Sequence, residues 1–175
     1  MIIVCPLSRI SDTISTHKPL RVISILDPGW TFPELGPAYV GRHLCLEFHD
    51  IHLPTLDRVL PAATHVDRLI RFLNRWDPKD NLLIHCRAGI GRSTATAFIA
   101  ACYHNAATDE QEIAAEIRKA SPIARPNKTL IRIADNAMNR KGRMLAAMES
   151  ALRDVPFADA AEAEPFQIPS IYPGR

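Results

Sequence analysis

The sequence contains no Cys-x-x-Cys pair, and its four cysteines, Cys5, Cys45, Cys86 and Cys102, are widely scattered. That excludes a disulfide scaffold and the common zinc sites, and points to a reducing cytoplasm. No apolar run approaches the roughly 20 residues of a membrane helix. The N-terminus lacks a basic leader region and its apolar run stops at Pro6, so it does not read as a signal peptide. A net charge of +2 is too small to make nucleic acid or a membrane the main partner, so any affinity for anions must come from a local site. There is no internal repeat. What is present is an ordinary globular balance, 47% apolar and 23% charged over 175 residues, enough for one domain with a real core.

Short apolar runs rich in β-branched residues predict strands over 2–7, 20–26, 43–48 and 81–84. Residues 8–17 suit a short helix. Prolines and glycines make 28–41 a loop. Val66, Leu69, Ile70 and Leu73 recur at helical spacing within 62–76. Further helices are expected over 93–103, 109–120 and 127–152, the second of these capped by Thr108 or Asp109 and the last interrupted near Gly142. The order predicts an α/β fold: a central, mostly parallel sheet of four to five strands flanked by helices. Residues 1–153 read as the domain and 154–175 as a proline-containing tail, either disordered or lying on the surface.

The chemistry is concentrated in Leu82-Leu83-Ile84-His85-Cys86-Arg87-Ala88-Gly89-Ile90-Gly91-Arg92-Ser93. A buried strand delivers Cys86 to its carboxyl end, where ligands bind in open α/β sheets. Gly89 and Gly91 let the following loop curl, and a helix starts near Ser93. Such a loop turns its amides inward and borrows the positive end of the helix, which makes an anion site. The planar fork of Arg92 can hold two phosphate oxygens. The same field favours a thiolate at Cys86.

His85 to Ser93 resembles the HCxxGxGR[ST] signature of the protein tyrosine phosphatase superfamily, with all six defined positions matched. The likeness is closest to small bacterial tyrosine and dual-specificity-like members, and it implies the phosphotyrosine protein phosphatase II type of fold. By that resemblance Cys86 forms a phosphocysteine, and Arg92 binds the phosphoryl group and its transition state. Ser93 would assist the departure of sulfur, and His85 would buttress the loop. Arg87, Ala88, Gly89, Ile90, Gly91 and Arg92 would bind the substrate phosphate. No metal or other cofactor is implied. The resemblance also implies an upstream aspartate as general acid. Asp50 follows the strand 43–48 and is preferred; Asp57, nearer the next helix, is the alternative. His49 and His52 read as loop-bracing residues.

Pro126-Asn127 is similar to the pair that opens a late helix in dual-specificity phosphatases, with Asn127 as its N-cap. Arg125 can add positive charge, and Trp30 and Tyr39 either line the entrance or pack over the domain edge. Cys45 is a core residue or a disulfide partner for Cys86 of the kind some relatives carry; Cys5 and Cys102 read as core. The expected partner is a phosphorylated protein or a small phosphomonoester. Phosphoinositides, inositol phosphates and nucleotides are alternative substrates. A rhodanese-like sulfurtransferase and a catalytically weak phospho-binding module are the alternatives in other classes.

Overall fold

The computed structural model describes residues 1–153 and 160–173. The elements are β1 (Ile2–Pro6), α1 (Ile10–His17), β2 (Arg21–Leu26), β3 (His43–Glu47), α2 (Ala63–Leu73) and β4 (Leu82–Cys86). There follow α3 (Arg92–His104), α4 (Glu110–Ala120), α5 (Lys128–Ala137), α6 (Arg143–Ala151) and β5 (Phe166–Ile168). The sheet order is β3-β2-β4-β1-β5. Strands β1 to β4 run parallel, and only β5 is antiparallel, against β1. None of the helices is long and apolar enough to cross a membrane, among the described residues.

Alternation along the strands builds two cores. Ile2 and Val4 of β1 face the larger one, with Leu82 and Ile84 of β4 and buried residues of α2 to α6. Ile3, Cys5, Val22 and Leu83 face the smaller one, which α1 covers with Ile10 and Ile14. Strand β4 lies in the middle of the sheet, and all five of its residues are buried. That is why it reads as an unbroken apolar run rather than an alternating one.

The expected strands all form, with ends shifted by a residue or two. Asp109 caps α4 by accepting from the Gln111 amide at 2.9 Å. The helix expected over 127–152 is two helices. Asn139, Lys141 and Gly142 take positive φ between them, and the Asp135 carboxylate accepts from the amides of Gly142 and Met144.

Residues 160–173 contribute to the fold. Residues 154–159 and 174–175 of the expected tail lie outside the described residues. Within 160–173, Phe166-Gln167-Ile168 alternates buried, exposed, buried and pairs with Val4, Ile3 and Ile2. Tyr172 and Ser170 are buried too. Three residues between prolines give too short an alternation to stand out as a strand in the sequence.

Candidate active site

Cys86 ends β4 and opens a loop that closes at Arg92, the first residue of α3. The loop's carbonyls accept hydrogen bonds from the segments that surround it. The Arg87 carbonyl accepts from the Leu7 amide (3.0 Å) and that of Ala88 from Ala163 (2.8 Å). Those of Ile90 and Gly91 accept from Arg125 (2.9 Å) and Asn127 (3.2 Å). Among the described residues, the amides of Ala88, Gly89, Ile90 and Gly91 donate to no backbone carbonyl. With the carbonyls turned out, these amides and the start of α3 leave a concave donor surface above Cys86. Gly89 makes the tightest bend, at φ +74°; a Cβ there would lie 3.0 Å from the Pro6 nitrogen and 3.1 Å from the Cys5 carbonyl carbon.

The side chains converge on this loop. The Cys86 sulfur lies 3.1 Å from the Ser93 hydroxyl, both groups buried. Arg92 is 4% exposed. Its Nη1 donates to the Asp27 carboxylate and to the Phe48 carbonyl, each at 2.7 Å. Its Nε is buried and meets no acceptor among the described residues. A buried guanidinium N–H without an acceptor is rare and costly.

Asp50 lies against the loop. A Cβ built on Gly91 would fall 1.9 Å from Asp50 Oδ2. The other oxygen, Oδ1, accepts from Asn127 Nδ2 at 2.7 Å. Because β3 and β4 run parallel in one sheet, the segments that follow them emerge at the same edge, which is what brings Asp50 to Cys86. Asp57 is exposed, has φ +57°, and is not among the residues lining the cavity. The segment from His49 to Val59 is pinned at its base, where the Val59 amide donates to His49 Nδ1 (2.8 Å) and the His49 amide to the Val59 carbonyl (2.8 Å).

A cavity of about 680 Å³ opens over these groups. Cys86, Arg92, Asp27 and Asp50 line it, with His49 and His52 and the arginines Arg58, Arg87 and Arg125. The Arg87 guanidinium stacks over the Trp30 ring at 5.2 Å, which puts Trp30 at the rim. Tyr39 instead donates to the Pro19 carbonyl and packs on the smaller core.

The sequence alone did not single out Asp27, and it read Asn127 chiefly as a helix cap. Asp27 read only as a turn residue, yet it directly follows β2, the strand beside β4, and so meets Arg92. Asn127 does cap α5, accepting from the Leu130 amide at 2.9 Å, but its amide group also ties down Asp50 and the Ile51 carbonyl. His85 is wholly buried and hydrogen-bonds to the Ser24 hydroxyl at 2.6 Å. Burial pushes its pKa down to about 4, against an opposing influence of the Cys86 backbone. Cys45 cannot reach Cys86. Strand β2 lies between their strands, which puts the backbones about 10 Å apart, beyond disulfide reach.

No family model matches the sequence, and no curated protein is significantly similar to it. Solved structures do match. A human tyrosine phosphatase-like serine/threonine/tyrosine-interacting protein aligns with a TM-score of 0.60 at 16% identity, over 80% of this chain and 92% of that one. The phosphatase domain of Yvh1 from Chaetomium thermophilum aligns with a TM-score of 0.55 at 17% identity, over 82% and 93%. The chain has the fold of the protein tyrosine phosphatase superfamily. A mouse putative dual specificity phosphatase complexed with zinc tungstate also has this phosphatase fold (TM-score 0.52, 14% identity, 79% of this chain and 80% of that one). At these identities the likeness is one of architecture, and the chemistry has to be argued from the residues of this chain.

Proposed function

We propose that the chain is a cysteine-dependent phosphomonoester hydrolase acting on phosphotyrosine in proteins through a phosphocysteine intermediate. The observation that carries this reading is the buried Nε of Arg92. It is a donor without an acceptor, in the cavity that Cys86 and the loop also line, and a phosphate oxygen supplies the missing partner. In the first step Cys86 Sγ attacks phosphorus in line. The ester P–O bond breaks, and Asp50 gives its proton to the departing oxygen. With Oδ1 engaged by Asn127, Oδ2 is the oxygen that carries that proton. In the second step water attacks phosphorus and Asp50 takes its proton. The S–P bond breaks as the Ser93 hydroxyl hydrogen-bonds the departing sulfur. Charge on the phosphoryl oxygens is met throughout by Arg92 and the loop amides.

Trp30 at the rim offers an aromatic face to a phosphorylated aryl group. The arginines Arg58, Arg87 and Arg125 around the same cavity favour a second reading, a small polyanionic phosphate ester such as a phosphoinositide or nucleotide. The test is phosphate release from an aryl phosphate by wild type, Cys86→Ser and Asp50→Asn, with a chelator present. Cys86→Ser should be inactive, and Asp50→Asn should lose about 10²- to 10⁴-fold in kcat. Activity in Cys86→Ser overturns the mechanism; an unchanged Asp50→Asn moves the acid to Asp57. A panel of phosphopeptides, phosphoinositides and nucleotides then separates the two substrate readings.

A further inference from the structure

The segment that leads into β5 lies directly against the phosphate loop. Glu162 and Glu164 are exposed, and Ala163 between them is buried. Outward, the Glu162 carboxylate accepts from the Ser8 hydroxyl, and that of Glu164 from Arg9 Nη1 at 3.3 Å, which fastens the segment beside the turn before α1. Inward, the Ala163 amide donates to the Ala88 carbonyl at 2.8 Å, and its Cβ would lie 3.4 Å from a Cβ built on Gly89. Strand β5 then anchors the segment on β1, with Phe166 and Ile168 in the larger core.

A trans peptide points its C=O and its N–H in opposite directions. Holding the Ala88 carbonyl outward therefore aims the Gly89 amide at the concave side of the loop. This peptide is free to turn over in a way its neighbours are not. A flip changes ψ at Ala88 and φ at Gly89, and a glycine takes its present φ of +74° or the negative side about equally readily. The Ile90–Gly91 peptide also precedes a glycine, but its carbonyl accepts from two donors, the Arg125 amide (2.9 Å) and the Thr94 hydroxyl (2.5 Å). Among the described residues, Ala163 is the one donor to the Ala88 carbonyl.

We propose that Ala163 is a positioning residue for the phosphate loop: its amide locks the Ala88–Gly89 peptide with the Gly89 N–H facing the anion, so that a segment distant in sequence completes the site. This rests on the loop being the phosphate site. Without the Ala163 N–H the peptide can turn over. The loop then loses one donor and presents the Ala88 carbonyl oxygen to the anion in its place, which repels it.

The experiment titrates inorganic phosphate into protein isotopically labelled at its seven glycines and follows the amide resonances of Gly89 and Gly91. In the wild type both should shift on binding. Ala163→Pro has no N–H to give, so Gly89 should lose its shift while Gly91 keeps its own, and the dissociation constant of phosphate should rise about 10-fold. Ala163→Ser keeps the N–H and should bind as the wild type does. Ile168→Ala also keeps it while loosening β5; its melting temperature should fall with the Gly89 shift and the affinity retained, which separates positioning from stability. A wild-type Gly89 shift and affinity in Ala163→Pro would overturn the proposal, as would an equal loss in Ile168→Ala. If Ala163→Pro does not fold, lactic acid in place of Ala163, introduced by nonsense suppression, exchanges the amide for an ester of the same shape, and wild-type phosphate affinity by calorimetry then overturns the role. Binding needs no turnover. A wild type that binds no phosphate sinks the reading of the site and this proposal with it, whereas a normal Gly89 response in Ala163→Pro sinks this proposal alone.

Discussion

The carboxylate of Asp50 occupies the space that a side chain at residue 91 would need. The clash of 1.9 Å is with a side-chain oxygen, not with backbone, so an alanine at 91 is accommodated by turning Asp50 away. Gly91→Ala should therefore fold with a melting temperature within about 2 °C of wild type, since surface-like relaxations of this kind cost little. Its kcat on an aryl phosphate should fall about 10²-fold, because the acid is displaced. In an Asp50→Asn background the same change should cost almost nothing further. Equal losses in both backgrounds would show that Gly91 acts on the loop itself.

Asp27 holds Arg92 from behind. Its carboxylate takes Nη1 at 2.7 Å, and the Phe48 carbonyl shares that nitrogen. Asp27→Ala leaves the guanidinium held by the Phe48 carbonyl alone, so both substrate binding and transition-state binding weaken. We expect kcat/KM to fall 10- to 100-fold, with the inhibition constant of inorganic phosphate rising as well. Arg92→Lys should lose more than Asp27→Ala, because an ammonium cannot bridge two oxygens.

The four cysteines should differ sharply toward iodoacetate. Burial pushes the Cys5 thiol up to about 11 and the Cys102 thiol further still, and burial also raises Cys45. Near neutral pH, alkylation of the folded protein should stop at one equivalent, on Cys86. Inorganic phosphate should slow it by occupying the loop. Two or more equivalents at comparable rates would contradict the packing around Cys5 and Cys102.

Stability should fall on mild acidification. His85 is buried neutral, with its pKa lowered to about 4 from an ordinary 6.5, and burial lowers His43 and His65 in the same direction. Below pH 6.5 the unfolded chain binds protons that the native state does not, so stability rises with pH in this window. The His85 contribution is fully present above pH 6.5 and is lost between there and about pH 4. Near pH 5 its slope approaches about 1.4 kcal/mol per pH unit. Urea unfolding of wild type and His85→Gln at pH 7, 6 and 5 measures it. The variant should show a shallower decline.

The sequence by itself determined the order of β1 to β4 and of the helices, and the place of the nucleophile. Cys86, Arg92 and Ser93 lie within one strand–loop–helix unit, where local chemistry is enough: an apolar strand, two glycines and a helix start build the loop from neighbours in the chain. Gly89 was legible as a glycine the curl requires, whereas Gly91, with φ −104°, leaves room for the Asp50 carboxylate. The tertiary structure alone decided what reaches that loop from a distance. Asp27 meets Arg92, Asn127 holds Asp50, Ala163 ties the Ala88 carbonyl, and His43 reaches His85 through Ser24. Each of these contacts joins residues far apart in sequence, and none follows a period that a strand or helix imposes. They exist because parallel strands bring their ends to one edge and place alternate side chains on one face, a relation set by sheet order and register rather than by any local run of residues.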